Sequence, residues 1–274
     1  MTARDSDIEL ELLLDAVFKK YHYDFRGYAM ASMRRRVATA LVHFRAASVA
    51  SLQDMVLHDA KMFPELLRFL TVQVSDLFRD PSYFKSIREK VVPYLRTYPS
   101  LKLWVAGCST GEEAYSLAIL LAEEGLLERS LIYATDINPE SLRIAEEGVY
   151  DSGRFSQFSA NYLAAGGRGS LSDYYTARYS AAVLDRSLKK AILFSDHSLA
   201  TDNAFAEVEL VSCRNVLIYF DRPLQNRALG VLRDSLCRRG FLGLGSRETL
   251  RFSAQASAFV EIAPSDRIYQ LSPA

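Results

Sequence analysis

Between residues 8 and 95 the apolar positions recur at helical spacing. Leu10, Leu13, Leu14 and Phe18 fall near one face and predict a first helix. Further helices are predicted over 28–44, 51–57 and 63–70. In Asp80-Pro81-Ser82-Tyr83-Phe84 the aspartate is placed to cap a helix and the proline to occupy its first position. That helix is expected to end near Leu95. At Leu101 the pattern changes to short apolar runs with helical stretches between them. LKLWVAG and LIYATD read as strands, AYSLAILLAEEG as the helix joining them, and Asn138-Pro139 as the cap and first turn of another helix. Strand, helix, strand, helix implies parallel pairing through right-handed crossovers.

Residues 151–190 break this rhythm. They carry Gly153, Gly166, Gly167, Gly169 and the segment YYTARY, which fits a small inserted β subdomain better than one long loop. AILFSD and AEVELVSC resume the strands, and a helix is expected over 223–238. GFLGLG, AFVEIA and RIYQLS then supply three more strand candidates. The last two lie close enough in sequence to pair antiparallel at a sheet edge. The expected domains are a helical one over 1–95 and an α/β one over 96–274.

Composition narrows the function. Of the 274 residues 49% are hydrophobic and 24% charged, as in a soluble globular protein. Lys+Arg and Asp+Glu both number 33, which gives no global attraction to nucleic acid. No apolar run suits a signal peptide or a membrane span. Cys108, Cys213 and Cys237 lack CxxC spacing and read as free thiols in a reducing, cytoplasmic setting. One region is locally basic. Residues 17–48 have a formal charge of +6, and Arg34, Arg35 and Arg36 form a candidate docking face. No zinc-finger or aromatic RNA-binding motif accompanies them, so an acidic protein surface is the preferred partner and a plain solvated face the alternative.

The candidate chemistry sits on the strand-to-helix loop Val105-Ala106-Gly107-Cys108-Ser109-Thr110-Gly111. It is neither a Walker loop nor the G-x-G-x-x-G dinucleotide pattern. Asp136 closes the second strand, where a carboxylate can accept from both hydroxyls of a ribose. Together these point to a bound nucleoside without a pyrophosphate, and so toward S-adenosylmethionine. Glu113 is placed to face the cationic end of that ligand. Three other readings remain open. Thr110 and Glu113 also have capping-box spacing, Asp136 can simply cap the turn before Asn138, and the glycines can mark only a tight turn.

LTVQVSDLFRDPSYF (70–84), LWVAGCSTGEEAYSLAI (103–119), IYATDINPESLRIAEEGVY (132–150) and VSCRNVLIYFD (211–221) resemble the chemoreceptor glutamate methyltransferase family, the CheR family. FLGLGSRETL (241–250) resembles it more weakly, and YDFRGYAMASMRRRV (23–37) resembles the family's opening helical domain. The resemblance implies a class I S-adenosylmethionine-dependent methyltransferase fold. Its parts are a mostly parallel seven-stranded sheet, an N-terminal helical domain and a small inserted antiparallel subdomain. It also implies conversion of receptor glutamates to methyl esters, with S-adenosylhomocysteine released. Carried over, Ala106, Gly107, Thr110, Glu113, Asp136, Ser198, Arg214 and Asn215 are cofactor contacts, and Arg79 and Tyr219 stand at the methyl-transfer centre. No metal is called for. The implied partner is the cytoplasmic helical bundle of a chemoreceptor, which the basic helix would meet. In some relatives the inserted subdomain also docks a receptor's C-terminal peptide. The chain departs from the family at His197-Ser198-Leu199, where His-Asn-Leu is common, at Gly245-Ser246-Arg247-Glu248, where Gly-His-Ser-Glu is common, and at Leu77, where phenylalanine is common. The competing functions are methylation of another protein or a small carboxylic acid, and a signalling module that binds the cofactor without turnover.

Overall fold

The computed structural model describes residues 3–273. The chain divides into two compact units. One holds the residues up to Gln73 together with Leu199–Asp202 and Tyr219–Ala228; the other holds Val74–Ser198, Asn203–Ile218 and the residues from Leu229 on.

The helical unit contains α1 (Ala3–Tyr21), α2 (Met30–Phe44), α3 (Val49–His58) and α4 (Met62–Leu70). Leu13, Met33, Ala40, Leu52, Leu66 and Leu70 are fully buried, one apolar stripe from each helix. The segment around Phe220 joins this unit. Ala29 N–H donates to the Tyr219 carbonyl at 2.8 Å, Asp221 N–H to the Gly27 carbonyl at 2.8 Å, and Tyr28 and Phe220 meet edge-on.

The second unit begins with α5 (Pro81–Ser86), a π-helical turn (Ile87–Val91) and α6 (Val92–Leu95). Pro93 has no N–H to continue an α-helical ladder, and the wider turn absorbs that break. The expected domain boundary at 95 differs from that of the helical unit, whose first stretch ends at Gln73. Tyr83, Phe84, Ile87, Val91, Val92 and Leu95 are buried in the same core as the strand that follows.

Next come β1 (Leu101–Ala106), α7 (Glu112–Glu123), β2 (Ser130–Asp136), α8 (Pro139–Glu147), β3 (Val149–Asp151), α9 (Phe155–Ala164), β4 (Tyr175–Arg178), β5 (Ala181–Leu184), α10 (Arg186–Lys189), β6 (Ile192–Asp196) and β7 (Val208–Cys213). After α11 (Arg222–Asp234) come β8 (Leu236–Leu244), β9 (Phe259–Ala263) and β10 (Ile268–Leu271). Among the described residues the main sheet has seven strands in the order β6-β2-β1-β7-β8-β10-β9. The first five are parallel, and β10 runs antiparallel to both its neighbours. Apart from the exposed Lys102, β1 reads as an apolar run, as parallel strands covered on both faces do. Most of α7 is buried, and each enclosed Leu or Ile contributes about 1.5–3 kcal/mol.

Two expectations change. The helix predicted over 223–238 ends at Asp234, because Leu236 already pairs with Val208 and the Ser235 carbonyl accepts from Val208 N–H. The inserted β subdomain is a three-stranded sheet, β3-β5-β4, but it also contains the helix α9. No helix among the described residues is long and apolar enough to cross a membrane.

Candidate functional site

The site grows from loops at the carboxyl ends of β1, β2, β7 and β8, the edge where ligands bind in such sheets. The loop after β1 has three positive φ angles, at Gly107 (74°), Ser109 (51°) and Gly111 (93°). A Cβ on Gly107 would lie 2.5 Å from a Val216 methyl, and one on Gly111 2.7 Å from Ala145 Cβ, so both positions require glycine. The loop spends its N–H groups internally. Gly107 and Cys108 donate to the Thr135 carbonyl, each at 2.8 Å, and Ser109 N–H donates to Asp136 Oδ2 at 2.8 Å. A phosphate cradle needs those donors turned outward, so the loop suits a phosphate-free nucleoside.

Asp136 also accepts from Asn138 N–H through Oδ1 at 2.9 Å. It therefore makes the turn contact considered from sequence, and it ties two loops together. Each carboxylate oxygen keeps lone-pair capacity for a ribose hydroxyl. Burial pushes its carboxyl above the ordinary value, against the opposing effect of N–H groups from Asn138, Ser109 and Ile137. Asn138 caps α8 as expected, accepting from Glu140 and Ser141 N–H.

Glu113 makes no capping box. The N-cap of α7 is Gly111, and the Thr110 hydroxyl donates to Glu112 Oε2 at 2.6 Å. Glu113 instead accepts from Ser212 Oγ at 2.6 Å and from Arg214 Nη1 at 3.0 Å. The Arg214 side chain is 1% exposed. Its Nη2 donates to the Arg79 carbonyl at 2.9 Å and to Asp80 Oδ2 at 2.7 Å, and the guanidinium lies 4.1 Å over the Tyr83 ring. Burial alone would lower its pKa, but Glu113, Tyr83, Asp80 and Glu248 leave it raised, so it stays charged. Asp80 is thus committed to Arg214. It stands at the N-cap position of α5 with φ 55° and does not cap with its side chain, a correction to the expectation from Asp80-Pro81.

The segment carrying Arg79 is strained, with Phe78 (φ 53°) and Asp80 (φ 55°) both left-handed. Several groups hold it there. Phe78 N–H donates to Ser116 Oγ at 2.8 Å, Asn161 donates to the Leu77 carbonyl at 3.1 Å, and Arg154 reaches the Ser75 carbonyl. The backbone of Arg79 is pinned, whereas among the described residues its guanidinium makes one long hydrogen bond, 3.4 Å to the Val74 carbonyl.

Asn215 (φ 60°) donates its N–H to Glu248 Oε2 at 2.9 Å. Glu248 is 4% exposed and also accepts from Gly245 N–H at 2.6 Å and Ile218 N–H at 3.2 Å, which joins the loops after β7 and β8. Ala106 ends β1, and Ser198 lies on the loop after β6. Arg79, Ala106, Gly107, Thr110, Glu113, Asp136, Ser198, Arg214 and Asn215 all belong to one compact unit. Tyr219 belongs to the helical unit, where the Arg36 guanidinium lies 4.5 Å over its ring.

Arg36 is a correction. It is 8% exposed and donates to the Leu70 carbonyl, so it does not present its charge on a docking face. Its position on α2 turns it toward the unit's interior. Arg34 pairs with Asp7 at 2.5 Å, and Arg35 is exposed. Sequence reasoning missed Asp80, Tyr83, Ser212 and Glu248 as parts of the site. Ser212 sits inside the apolar run VELVSC, and Glu248 is a lone acid just after an apolar strand; both patterns mark a buried polar partner.

The sheet order, the phosphate-free loop after β1 and the acid closing β2 define a class I S-adenosylmethionine-dependent methyltransferase. Residues 73–264 match the CheR methyltransferase SAM-binding domain and residues 8–71 the CheR methyltransferase all-alpha domain. The chain belongs to the CheR methyltransferase family. It is 54% identical over 269 residues to a Pseudomonas putida protein provisionally named methyltransferase Cher3, covering 98% of both chains. It is 29% identical over 229 residues to a chemotaxis protein methyltransferase of Listeria innocua, covering 83% of this chain and 84% of the relative.

Proposed function

We propose that this chain is a protein-glutamate O-methyltransferase, which moves the methyl group of S-adenosylmethionine onto glutamate side chains of chemoreceptors and releases S-adenosylhomocysteine. Its partner is the cytoplasmic helical bundle of the receptor, and its place is the cytoplasm. Family membership supports the reading, and one geometric observation carries it to a carboxylate. The backbone of Arg79 is clamped by the buried Arg214 while its guanidinium is left lightly held. A planar, permanently charged fork of this kind suits a carboxylate.

Bound S-adenosylmethionine supplies an electrophilic methyl carbon. The acceptor glutamate is ionised near neutral pH, since its ordinary pKa is about 4.3, so the site needs no base to create the nucleophile. The work of this chain is alignment. Asp136 is suited to the ribose, Glu113 to the amino group of the methionine portion, and Arg79 to the acceptor carboxylate. The exposed Arg35 is suited to the acidic receptor surface, and the inserted subdomain to a receptor C-terminal peptide. Arg79→Ala tests the assignment. It should abolish most labelled-methyl transfer to receptor fragments while calorimetry finds cofactor affinity nearly intact. Normal turnover by this variant would remove Arg79 from the role.

A further inference from the structure

Glu113 owes its orientation to two groups, and both rest on one side chain. Its Oε1 accepts from Ser212 Oγ and its Oε2 from Arg214 Nη1. The single hydroxyl proton of Ser212 is committed to that carboxylate, so the Tyr83 hydroxyl, 2.8 Å away, must be the donor in the Tyr83–Ser212 contact. The proton order is Tyr83 to Ser212 to Glu113. On the other arm, the guanidinium of Arg214 stacks over the Tyr83 ring at 4.1 Å. Tyr83 thus touches both partners of the carboxylate, one through its hydroxyl and one through its ring.

The fold makes room for this arrangement. Ser212 on β7 is in register with Gly243 on β8, and a Cβ on Gly243 would lie 2.1 Å from the Tyr83 hydroxyl oxygen. The missing side chain at Gly243 is the space that hydroxyl occupies. Tyr83 is 2% exposed and Ser212 is fully enclosed, so water does not replace either contact. Burial also raises the Tyr83 pKa well above its ordinary value, with Glu113 adding to the rise, which keeps the hydroxyl protonated as a donor. A buried tyrosine with only a packing role needs neither the hydroxyl chain nor the glycine opposite.

We propose that Tyr83 is a positioning residue for the amino-acid end of the cofactor, acting through Ser212 and Arg214 to hold the Glu113 carboxylate in place. The inference rests on the reading that Glu113 faces the amino group of the methionine portion. It is specific to that end of the ligand, which gives it a test that general loosening of the fold does not satisfy. S-adenosylhomocysteine carries the amino-acid end; methylthioadenosine keeps the nucleoside and thioether but lacks it. Calorimetric titration of both ligands would be done on the intact chain and on Tyr83→Phe, Ser212→Ala, the double variant and Glu113→Gln.

Tyr83→Phe keeps the ring under Arg214 and removes only the hydroxyl. It should weaken S-adenosylhomocysteine about 3- to 10-fold, the effect of one neutral hydrogen bond, and leave methylthioadenosine within about twofold. Ser212→Ala should do the same. The double variant should be no worse than Ser212→Ala alone, because the two hydroxyls form one chain. Equal weakening of both ligands by Tyr83→Phe, or no weakening of either, overturns the inference. If Glu113→Gln binds S-adenosylhomocysteine normally, the reading of Glu113 falls instead. A selective loss in Glu113→Gln without one in Tyr83→Phe defeats the inference alone.

Discussion

Removing Arg214 should destabilise the methyltransferase unit by an amount that its surroundings allow to be worked out. Arg214→Met keeps an apolar stem over Tyr83 but deletes the ion pairs to Glu113 and Asp80 and the bond to the Arg79 carbonyl. Breaking a buried ion pair from one side costs about 3–5 kcal/mol, because the remaining charge is left buried and unpaired. The Asp80 side chain is 40% exposed and regains water, so its share is small. Glu113 is 13% exposed and bears most of the penalty. The estimate is about 3 kcal/mol, or a fall in melting temperature of about 6–12 °C for a unit of this size. The chain's one tryptophan, Trp104 on β1, is buried in this unit, so its emission during thermal unfolding reports this unit alone. Arg214→Lys, which keeps charge but not the fork, should fall between the two. A melting temperature for Arg214→Met within about 2 °C of the parent would refute the claim that Arg214 is the clamp of the site.

Three other expectations rest on separate contacts. Asp136→Asn replaces a carboxylate oxygen with an amide donor facing Ser109 or Asn138 N–H and removes a ribose acceptor; calorimetry should find cofactor binding at least about tenfold weaker, equivalent to 1.4 kcal/mol, and an unchanged dissociation constant removes that role. Glu124 is pushed up by burial, but Arg96, Arg168 and Arg88 together bring it below its ordinary 4.5, so its stabilising effect is complete above that value and is lost as pH falls through the lower folded value. Denaturant titrations should therefore find the parent more stable than Glu124→Gln near neutrality, with the gap closing in acid; a gap that widens in acid contradicts this sign. Arg35→Glu should slow receptor methylation, more so at low salt, without changing cofactor affinity, and rates equal to the parent at every ionic strength rule out steering by this face.

Much of the architecture is legible in the chain because parallel buried strands leave a simple trace. LKLWVAG and LIYATD are mostly apolar runs, and Asn138-Pro139 announces the start of α8 with a cap the structure contains. Glycines at 107 and 111 were readable for the same reason, since the positive φ there leaves little alternative. What the sequence hides is partnership across long separations. Asp80 looks like a helix cap because capping is local, yet its carboxylate is taken by Arg214, 134 residues away. Arg36 looks like part of a basic face because charge counting ignores which side of α2 a residue occupies. Tyr83, Ser212 and Gly243 lie in three separate stretches of sequence; their relation to one another exists only once β7 and β8 lie in register. The continuation of α11 past Asp234 failed similarly, because pairing of Leu236 with Val208 outweighs local helical periodicity.

The central claim concerns the bond that is made. Incubation of the intact chain with methyl-labelled S-adenosylmethionine and cytoplasmic fragments of candidate chemoreceptors, followed by alkaline release and peptide mapping, identifies that bond directly. The account predicts label on glutamate side chains, released by base as methanol. Label that survives base on lysine, arginine or another nitrogen, or transfer only to small carboxylic acids with every receptor fragment unmodified, would contradict it.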